Sequence, residues 1–207
     1  MMKYLISYVV IGLVMLPASA VSVRVLPPDN AAGQLASADS AKQLSSLDPA
    51  VRQAAAEELA RIVALDQKKL VEGYLLQEKD KRVRLALNWA LYRMGKSQLL
   101  FQIVRELDSS RHDQAVGYLS QLESADALYV FLRQENTRPK VIVGVIEVLG
   151  RIGDSEALQQ IKPFLGSFEP KVAEAAELST DAIQQRLGAP QPATKTRPRT
   201  AGKPDQP

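Results

Sequence analysis

The chain of 207 residues contains no cysteine. Disulfide bonds, thiolate metal sites, cysteine nucleophiles and acylated-cysteine anchors are therefore excluded. Histidine occurs once, as His112, and a single histidine cannot supply the clustered ligands of a zinc or di-iron site. A glycine-rich phosphate loop is also missing, because Gly144, Gly150 and Gly153 fall inside or at the end of a predicted helix. We expect no metal, no cofactor and no enzymatic activity.

His112 stands between Arg111 and Asp113. A neighbouring histidine and aspartate do not define a catalytic triad without a positioned nucleophile. We therefore predict that His112 is exposed to solvent and not catalytic. An enzyme would need two carboxylates that converge on one face, for example Glu72 with Glu106, and the sequence does not show whether any pair converges.

The first twenty residues have the pattern of a secretory signal peptide. Lys3 precedes an apolar run over residues 4–16, and the small-residue triplet at 18–20 follows a proline. Cleavage would leave Val21 first and place the mature protein in the periplasm or outside the cell. An uncleaved membrane anchor is the alternative, although the apolar run is shorter than the roughly twenty residues that a span needs.

Residues 189–207 form a tail with five prolines, four basic residues and almost nothing apolar. Such a composition cannot build a core and predicts disorder. The tail carries a charge of +3 and Lys3 adds +1, so the rest of the chain carries about −1 of the total of +3. The pI of 9.1 is therefore a property of the ends. Without a basic stripe on the folded part, we expect no nucleic-acid partner.

Residues 21–37 are predicted to be a linker or a short extended segment. Val21, Val23 and Val25 alternate with polar residues, and the prolines at 27 and 28 are expected to break any helix. A strand that pairs with the sheet edge of a partner is the alternative.

A short phrase recurs through residues 38–188, and each copy opens an apolar run that is compatible with a helix. The copies are Asp48-Pro49-Ala50-Val51-Arg52, Asp80-Lys81-Arg82-Val83-Arg84, Arg138-Pro139-Lys140-Val141-Ile142 and Glu169-Pro170-Lys171-Val172-Ala173. A capping residue or a proline suits the first turn of a helix, where backbone N–H groups have no internal partner. The valines are 32, 58 and 31 residues apart, and the middle interval fits two units. This period indicates tandem helical units.

The ends of the predicted helices also repeat. One first helix ends in the segment 149–154, with sequence LGRIGD, and the apolar residues of a second helix follow it. Another opens with Val83-Arg84 and ends at Met94-Gly95. In these features residues 38–188 resemble the short HEAT-like repeats of the phycobilisome-lyase type. The third unit, from Ser109 to about Gln134, departs from the pattern because it lacks both the proline and the valine.

The resemblance implies an exported bacterial member of this class with an all-α fold, a HEAT-like right-handed superhelix (solenoid) of about five helical pairs. Repeats of this kind most often bind other proteins, so we expect a non-enzymatic scaffold or adaptor in the bacterial cell envelope. A lyase role is not expected, because a secretory signal would carry the chain away from cytosolic bilin proteins. The alternative is a peripheral binder of membrane or cell-wall polymer, with weak contact through residues 189–207.

The second helices, predicted at residues 68–76, 98–107 and 157–165, would line the concave face of the superhelix. Polar residues on these helices and one aromatic pair are the candidate partner-binding residues. They are Lys68, Lys69, Glu72, Trp89, Tyr92, Gln98, Gln102, Gln159 and Gln160. Trp and Tyr often dominate interface energies, but the alternative for Trp89 is packing against the next repeat.

The apolar patterns predict where three first helices lie in the stack. The helix from Pro139 to Gly153 is apolar almost all round and should lie inside. The helix from Lys81 to Met94 is more amphipathic and should lie nearer a surface. The last unit has a thinner apolar stripe and should form a terminal cap. The residues of that stripe are Val172, Ala175, Ala176, Leu178 and Ile183.

Overall fold

The computed structural model describes residues 28–188, with side chains from residue 33 onward. This part contains ten α-helices and no strand, which confirms the all-α prediction. The helices are α1 (Pro28–Gln43), α2 (Pro49–Arg61), α3 (Lys68–Gln77), α4 (Lys81–Arg93), α5 (Leu100–Arg105), α6 (His112–Leu119), α7 (Asp126–Arg133), α8 (Pro139–Ile152), α9 (Ser155–Ile161) and α10 (Pro170–Gly188). Four 3₁₀ turns adjoin them, at Leu65–Gln67, Ser97–Leu99, Glu106–Asp108 and Lys162–Gly166.

Both predicted terminal segments, the signal peptide at 1–20 and the tail at 189–207, lie outside the described residues, as do residues 21–27. Within 28–188 there is no helix with the length and apolar character of a membrane span. Helix α1 begins at Pro28, so the linker predicted as far as residue 37 is wrong for residues 28–37. A proline in the first turn of a helix loses no hydrogen bond there, so Pro28 begins a helix instead of preventing one.

All four copies of the recurring phrase start helices, namely α2, α4, α8 and α10. Asp48 caps α2 by accepting a hydrogen bond from the N–H of Ala50 at 2.8 Å. Asp80 caps α4 in the same way, from the N–H groups of Arg82 and Val83. In these two copies a capping oxygen satisfies backbone donors that the helix itself leaves free, whereas the copies before α8 and α10 place a proline in the first turn.

The divergent third unit is also a helical pair, formed by α6 and α7. Neither helix has a side-chain cap, but a serine orders the turn before each of them. Ser109 Oγ accepts from the N–H of Arg111 at 3.0 Å, and Ser124 Oγ accepts from the N–H of Asp126 at 3.2 Å. Short polar side chains can turn the chain into a helix without the proline or valine of the other copies.

The first helices of the units form a row in which α2 contacts α4, α4 contacts α6, α6 contacts α8 and α8 contacts α10. The second helices α3 and α5 pack against α4, whereas α7 packs against α8 and α9 against α10. Helix α8 is buried on most sides, as its apolar pattern predicts. The surface position predicted for α4 is wrong, because Leu85 and Trp89 are buried in addition to the expected stripe.

Helix α10 follows its predicted stripe except at one position. Val172, Ala176 and Ile183 are buried, but Leu178 is 64% exposed and Ser179 is buried instead. The neighbouring Gly150 of α8 explains this choice, since a Cβ placed there would lie 2.7 Å from Ser179 Oγ and 3.1 Å from its Cα. The two helices cross closely, and only small residues fit at the crossing.

Replacing Gly150 by alanine should lower the free energy of unfolding by about 1–3 kcal/mol, because the added methyl group must push α10 away. Gly117 of α6 is the matched control, since a Cβ there meets nothing within 4 Å. Gly117→Ala should raise stability by about 0.5–1 kcal/mol through the better helix propensity of alanine. Chemical denaturation measures both variants, and equal effects would contradict the close crossing.

The ends of α2 and α4 have the same conformation but different residues. Gly95 follows α4 with φ +90°, and Val63 holds the equivalent place after α2 with φ +50°. In both places the next N–H bonds back to a helix carbonyl, from Ala64 to Leu59 and from Lys96 to Leu91. A β-branched residue is strained at positive φ, whereas glycine is not.

We therefore expect Val63→Gly to raise the free energy of unfolding, because relief of the strain exceeds the loss of the valine's partial burial. The reciprocal change Gly95→Val should lower it by roughly 1–2 kcal/mol. Thermal and chemical denaturation of the two variants give the comparison. Destabilisation by Val63→Gly would show that the valine contributes more through packing than it loses through its backbone.

Candidate functional site

A groove of about 840 Å³ lies between α5, the end of α7 and the connection that leads into α8. Its walls combine aromatic, basic and carboxamide side chains. Those used below are Phe101, Gln102, Arg105, Phe131, Asn136 and Arg138. This α5–α7 groove lies between the second helices of consecutive units, α5 and α7, and its far wall is formed by residues just before α6 and at the start of α8.

The floor of the α5–α7 groove is a pair of stacked phenylalanines. Phe101 of α5 and Phe131 of α7 have ring centroids 6.1 Å apart. Phe131 is buried, while Phe101 is 47% exposed, so one ring is held by packing and the other is presented to solvent. Arg105 follows Phe101 one helical turn later, and its guanidinium lies 6.0 Å from the centre of the Phe101 ring. The result is an apolar surface beside a positive charge.

Most other charges in the groove are already paired. Arg111 donates to Glu106 at 2.7 Å, and Arg138 donates to Asp108 at 3.0 Å. The hydrogen bond from Arg138 is the main reason that the pKa of Asp108 lies below its ordinary value. Within residues 33–188, Arg105 makes no ion pair. Arg105 is thus the groove arginine that is available to a carboxylate from outside.

Several predicted partner-binding residues are used inside the structure. Lys68 donates to the carbonyl of Met94 at 3.0 Å, and Lys96 bonds the carboxylate of Glu72 at 2.8 Å. Both contacts tie α3 to the end of α4. These side chains hold one unit on the next, which is a structural role.

The aromatic pair is part of the core. Trp89 is only 2% exposed, and its ring stacks on those of Tyr92 and Tyr118 with centroids 5.6 Å away in each case. Arg93 lies over the same indole at 5.6 Å. Trp89 therefore has almost no surface to offer a partner. Tyr92 is half-buried and lines a second, smaller groove between the end of α4 and the start of α7.

Of the remaining predicted residues, Lys69, Gln98 and Gln159 are exposed, Gln160 is half-buried, and Gln102 lines the α5–α7 groove. The structure brings none of the first four into that groove. The sequence reasoning missed Phe101, Arg105 and Phe131. A phenylalanine four residues before an arginine is a readable signal on a helix, but its partner Phe131 comes thirty residues later.

Glu72 and Glu106 do not form the carboxylate pair that an enzyme would need, because each is bonded to neighbouring side chains. Glu72 bonds Lys96, and this hydrogen bond is the main cause that lowers its pKa. Glu106 bonds Arg111 and the hydroxyl of Ser109. Each carboxylate is occupied by its own local partners.

The prediction that His112 is exposed to solvent is wrong. The ring is half-buried, with Nδ1 at 2.8 Å from the carbonyl oxygen of Leu107 and Nε2 at 2.9 Å from a carboxylate oxygen of Glu147. His112 therefore ties the start of α6 to the middle of α8. Burial disfavours its charged form, but the bonds to Leu107 and Glu147 outweigh that effect and raise the pKa of His112.

Comparison with known proteins gives no independent lead. No family model matches the chain, and no curated protein matches it. Across the described residues, no cluster of three or more histidine, cysteine, aspartate or glutamate side chains has the arrangement of a metal site. The function has to be argued from the fold and from its surfaces.

The contact between His112 and Glu147 should make stability depend on pH. The folded pKa of His112 is raised, so its contribution is fully present below the unfolded value of about 6.5 and is lost as pH rises through the folded value. Above that value Nε2 has no proton to donate to Glu147. Unfolding of the wild type and of His112→Gln should therefore differ most near pH 6 and less at pH 8.

Glu147→Gln tests the same contact from the other side, since it removes the acceptor charge and should reduce the pH dependence. Arg151 also bonds Glu147, so part of any loss of stability in this variant will be independent of pH. A difference between wild type and His112→Gln that stays constant over this pH range would contradict the assignment.

Proposed function

We propose that the chain is a non-enzymatic scaffold or adaptor of the bacterial cell envelope, and that it binds an extended segment of a partner protein in the α5–α7 groove. In this proposal the helices form a HEAT-like right-handed superhelix of about five pairs, with α10 as the terminal cap. The substantial helix contacts in residues 28–188 join elements that are close neighbours along the chain, which is how repeat arrays are built. The signal-peptide pattern supports an envelope location.

The observation that carries the proposal is the presentation of Phe101. A large aromatic ring is half exposed, yet it is held in place by Phe131 and flanked by Arg105. Aromatic and arginine side chains in this arrangement are typical of the residues that dominate binding energy at interfaces. Because the ring is already held by packing, a partner would lose little entropy in ordering it.

The rest of the groove suits a peptide backbone. Gln102 lies beside the phenylalanine platform, and Gln134 and Asn136 lie on the opposite wall. All three carboxamides are exposed, and each offers both donors and an acceptor, the complement of a peptide group. We infer a partner segment with an apolar side chain over Phe101 and a carboxylate beside Arg105.

Crosslinking in cells tests the proposal. A photo-crosslinking residue at Gln102 of the full-length chain should form an adduct with a defined envelope protein, and one at Gln159 should not form that adduct. Phe101→Ala and Arg105→Glu should each reduce the yield by roughly tenfold, the equivalent of about 1.4 kcal/mol in affinity.

Leu178→Ala is the matched control, because Leu178 is an apolar residue that is 64% exposed and lies outside the groove. Its adduct yield should equal that of the wild type. Melting curves of all three variants should coincide, since the replaced side chains contribute little to the core. Unchanged adducts from the two groove variants, with intact folding, would remove the groove from the function.

A further inference from the structure

The loops that precede the first helices lie along one edge of the structure. We call this the loop edge, formed by residues 46–48, 76–82, 107–113, 135–140 and 167–171. Its members are joined by direct contacts. Arg52 donates to the carbonyl of Leu47 at 3.1 Å and to the carboxylate of Glu78 at 2.8 Å, which links the first loop to the second.

Further contacts connect the remaining loops of the loop edge as far as the start of α10. The side chain of Gln114, in the first turn of α6, donates to the carbonyl of Arg82 at 3.1 Å. Asp108 accepts from Arg138 at 3.0 Å and lies 3.5 Å from Lys140. A shallow groove of about 770 Å³ then joins Asp108 and Lys140 to Lys171. The loop edge is therefore a continuous border from α2 to α10.

The three most exposed large apolar side chains of the described residues all lie on the loop edge. They are Phe168 at 105%, Leu47 at 98% and Leu76 at 88%, and the next is Leu35 of α1 at 67%. Single exposed apolar residues are ordinary on protein surfaces. These three lie on the same border, Leu47 and Leu76 in its first two connections and Phe168 in its last, and together they indicate a common contact.

The loop edge exposes six cations and four carboxylates, so its exposed charge is positive. Six of its cations are exposed, namely Lys79, Lys81, Arg82, Arg138, Lys140 and Lys171. Several of its carboxylates are instead turned inward, since Glu78 and Asp108 keep only 7% and 16% of their side chains exposed. Asp80 is only partly exposed because its carboxylate caps α4. The exposed carboxylates are Asp48, Asp113, Glu135 and Glu169.

We propose that the loop edge docks on an anionic lipid surface, with Leu47, Leu76 and Phe168 inserted at headgroup level and the exposed lysines and arginines against lipid phosphates. Apolar tips flanked by long cationic side chains match the layered chemistry of a membrane interface. A bilayer accepts separated tips along an edge without a pocket for each, whereas a protein partner would need one for every tip. This surface borders the α5–α7 groove and shares Asp108 and Arg138 with it, but the proposal does not depend on a partner bound in that groove.

The absence of cysteine makes the test direct, because one introduced cysteine gives a single labelling site. Full-length variants Leu76→Cys and Phe168→Cys would carry an environment-sensitive dye on the loop edge, and Leu65→Cys and Leu178→Cys would carry it elsewhere. With phosphatidylcholine vesicles that contain phosphatidylglycerol, the edge dyes should shift to the blue and the other dyes should not. Vesicles of phosphatidylcholine alone should give a weaker shift.

A second measurement compares how strongly full-length variants bind the vesicles. Every variant keeps the apolar residues 1–20 and the basic residues 189–207, so any contribution of these segments is the same in all of them. Replacing Leu47, Leu76 and Phe168 together by serine should weaken sedimentation with the anionic vesicles by roughly tenfold. The matched control replaces Leu35, Leu65 and Leu178, which are 67%, 64% and 64% exposed, and should bind as the wild type does.

A triple variant that reverses charges on the loop edge should bind the anionic vesicles more weakly; its changes are Lys81→Glu, Lys140→Glu and Lys171→Glu. A control triple variant that reverses lysines elsewhere, namely Lys42, Lys69 and Lys162, should lose less binding. Equal behaviour of the edge and control sets, or vesicle binding without a shift of the edge dyes, would overturn the proposal and assign the binding to the ends of the chain. Crosslinking from Gln102 is a separate readout that needs no vesicles, so the two proposals fail separately.

Discussion

The close packing of α8 is the constraint on which the rest of the structure depends. In the row of first helices α8 joins α6 to α10, and among the substantial contacts it is the link between the two halves. Two glycines allow the approach. A Cβ on Gly144 would lie 2.9 Å from that of Leu107, and Gly150 faces Ser179. A helix that is apolar on nearly every side gains stability only when neighbours cover it completely, so its small residues matter as much as its large ones.

The N-terminal half is fastened by a polar contact. Arg52 of α2 forms two hydrogen bonds with Glu78, at 2.8 and 2.9 Å, and Glu78 also accepts from the N–H groups of Lys79 and Asp80. The bond from Arg52 is the main cause that lowers the pKa of Glu78. The carboxylate thus orders the turn before α4 and attaches it to α2. The last residue of the recurring phrase is an arginine in two copies, Arg52 and Arg84, and of these Arg52 makes this contact with a carboxylate. The other copies carry Ile142 or Ala173 at that position and keep the fold without it.

Local patterns predicted much of the fold because the responsible forces act within one helix. Capping oxygens before α2 and α4, prolines at the start of α8 and α10, and apolar spacing place these four helices close to their observed bounds. Features that depend on contacts between units were predicted incompletely. Trp89 packs on Tyr118 of the next unit, which is the alternative that the sequence left open beside a partner-binding role. The burial of Ser179 was missed because it depends on Gly150 of the neighbouring helix. The α5–α7 groove was missed for the same reason, since Phe101 becomes a platform only when Phe131 stacks on it. Of the predicted binding residues, Gln102 alone reaches that groove, because polarity marks a surface without telling which surfaces meet.

The two proposed surfaces meet at one ion pair. Asp108 and Arg138 line both the α5–α7 groove and the shallow groove on the loop edge, and Lys140 completes the cluster. A carboxylate from a bound segment and a lipid phosphate would both be attracted to Arg138, whose side chain is 78% exposed although it bonds Asp108. Occupation of one surface therefore changes the charge that the other sees. Phe101 lies on α5 and outside the loop edge, so a chain docked on a membrane by that edge would not use this ring for docking. The fold thus permits a partner segment to be held at the membrane surface, with Arg138 as the point where the two contacts influence each other.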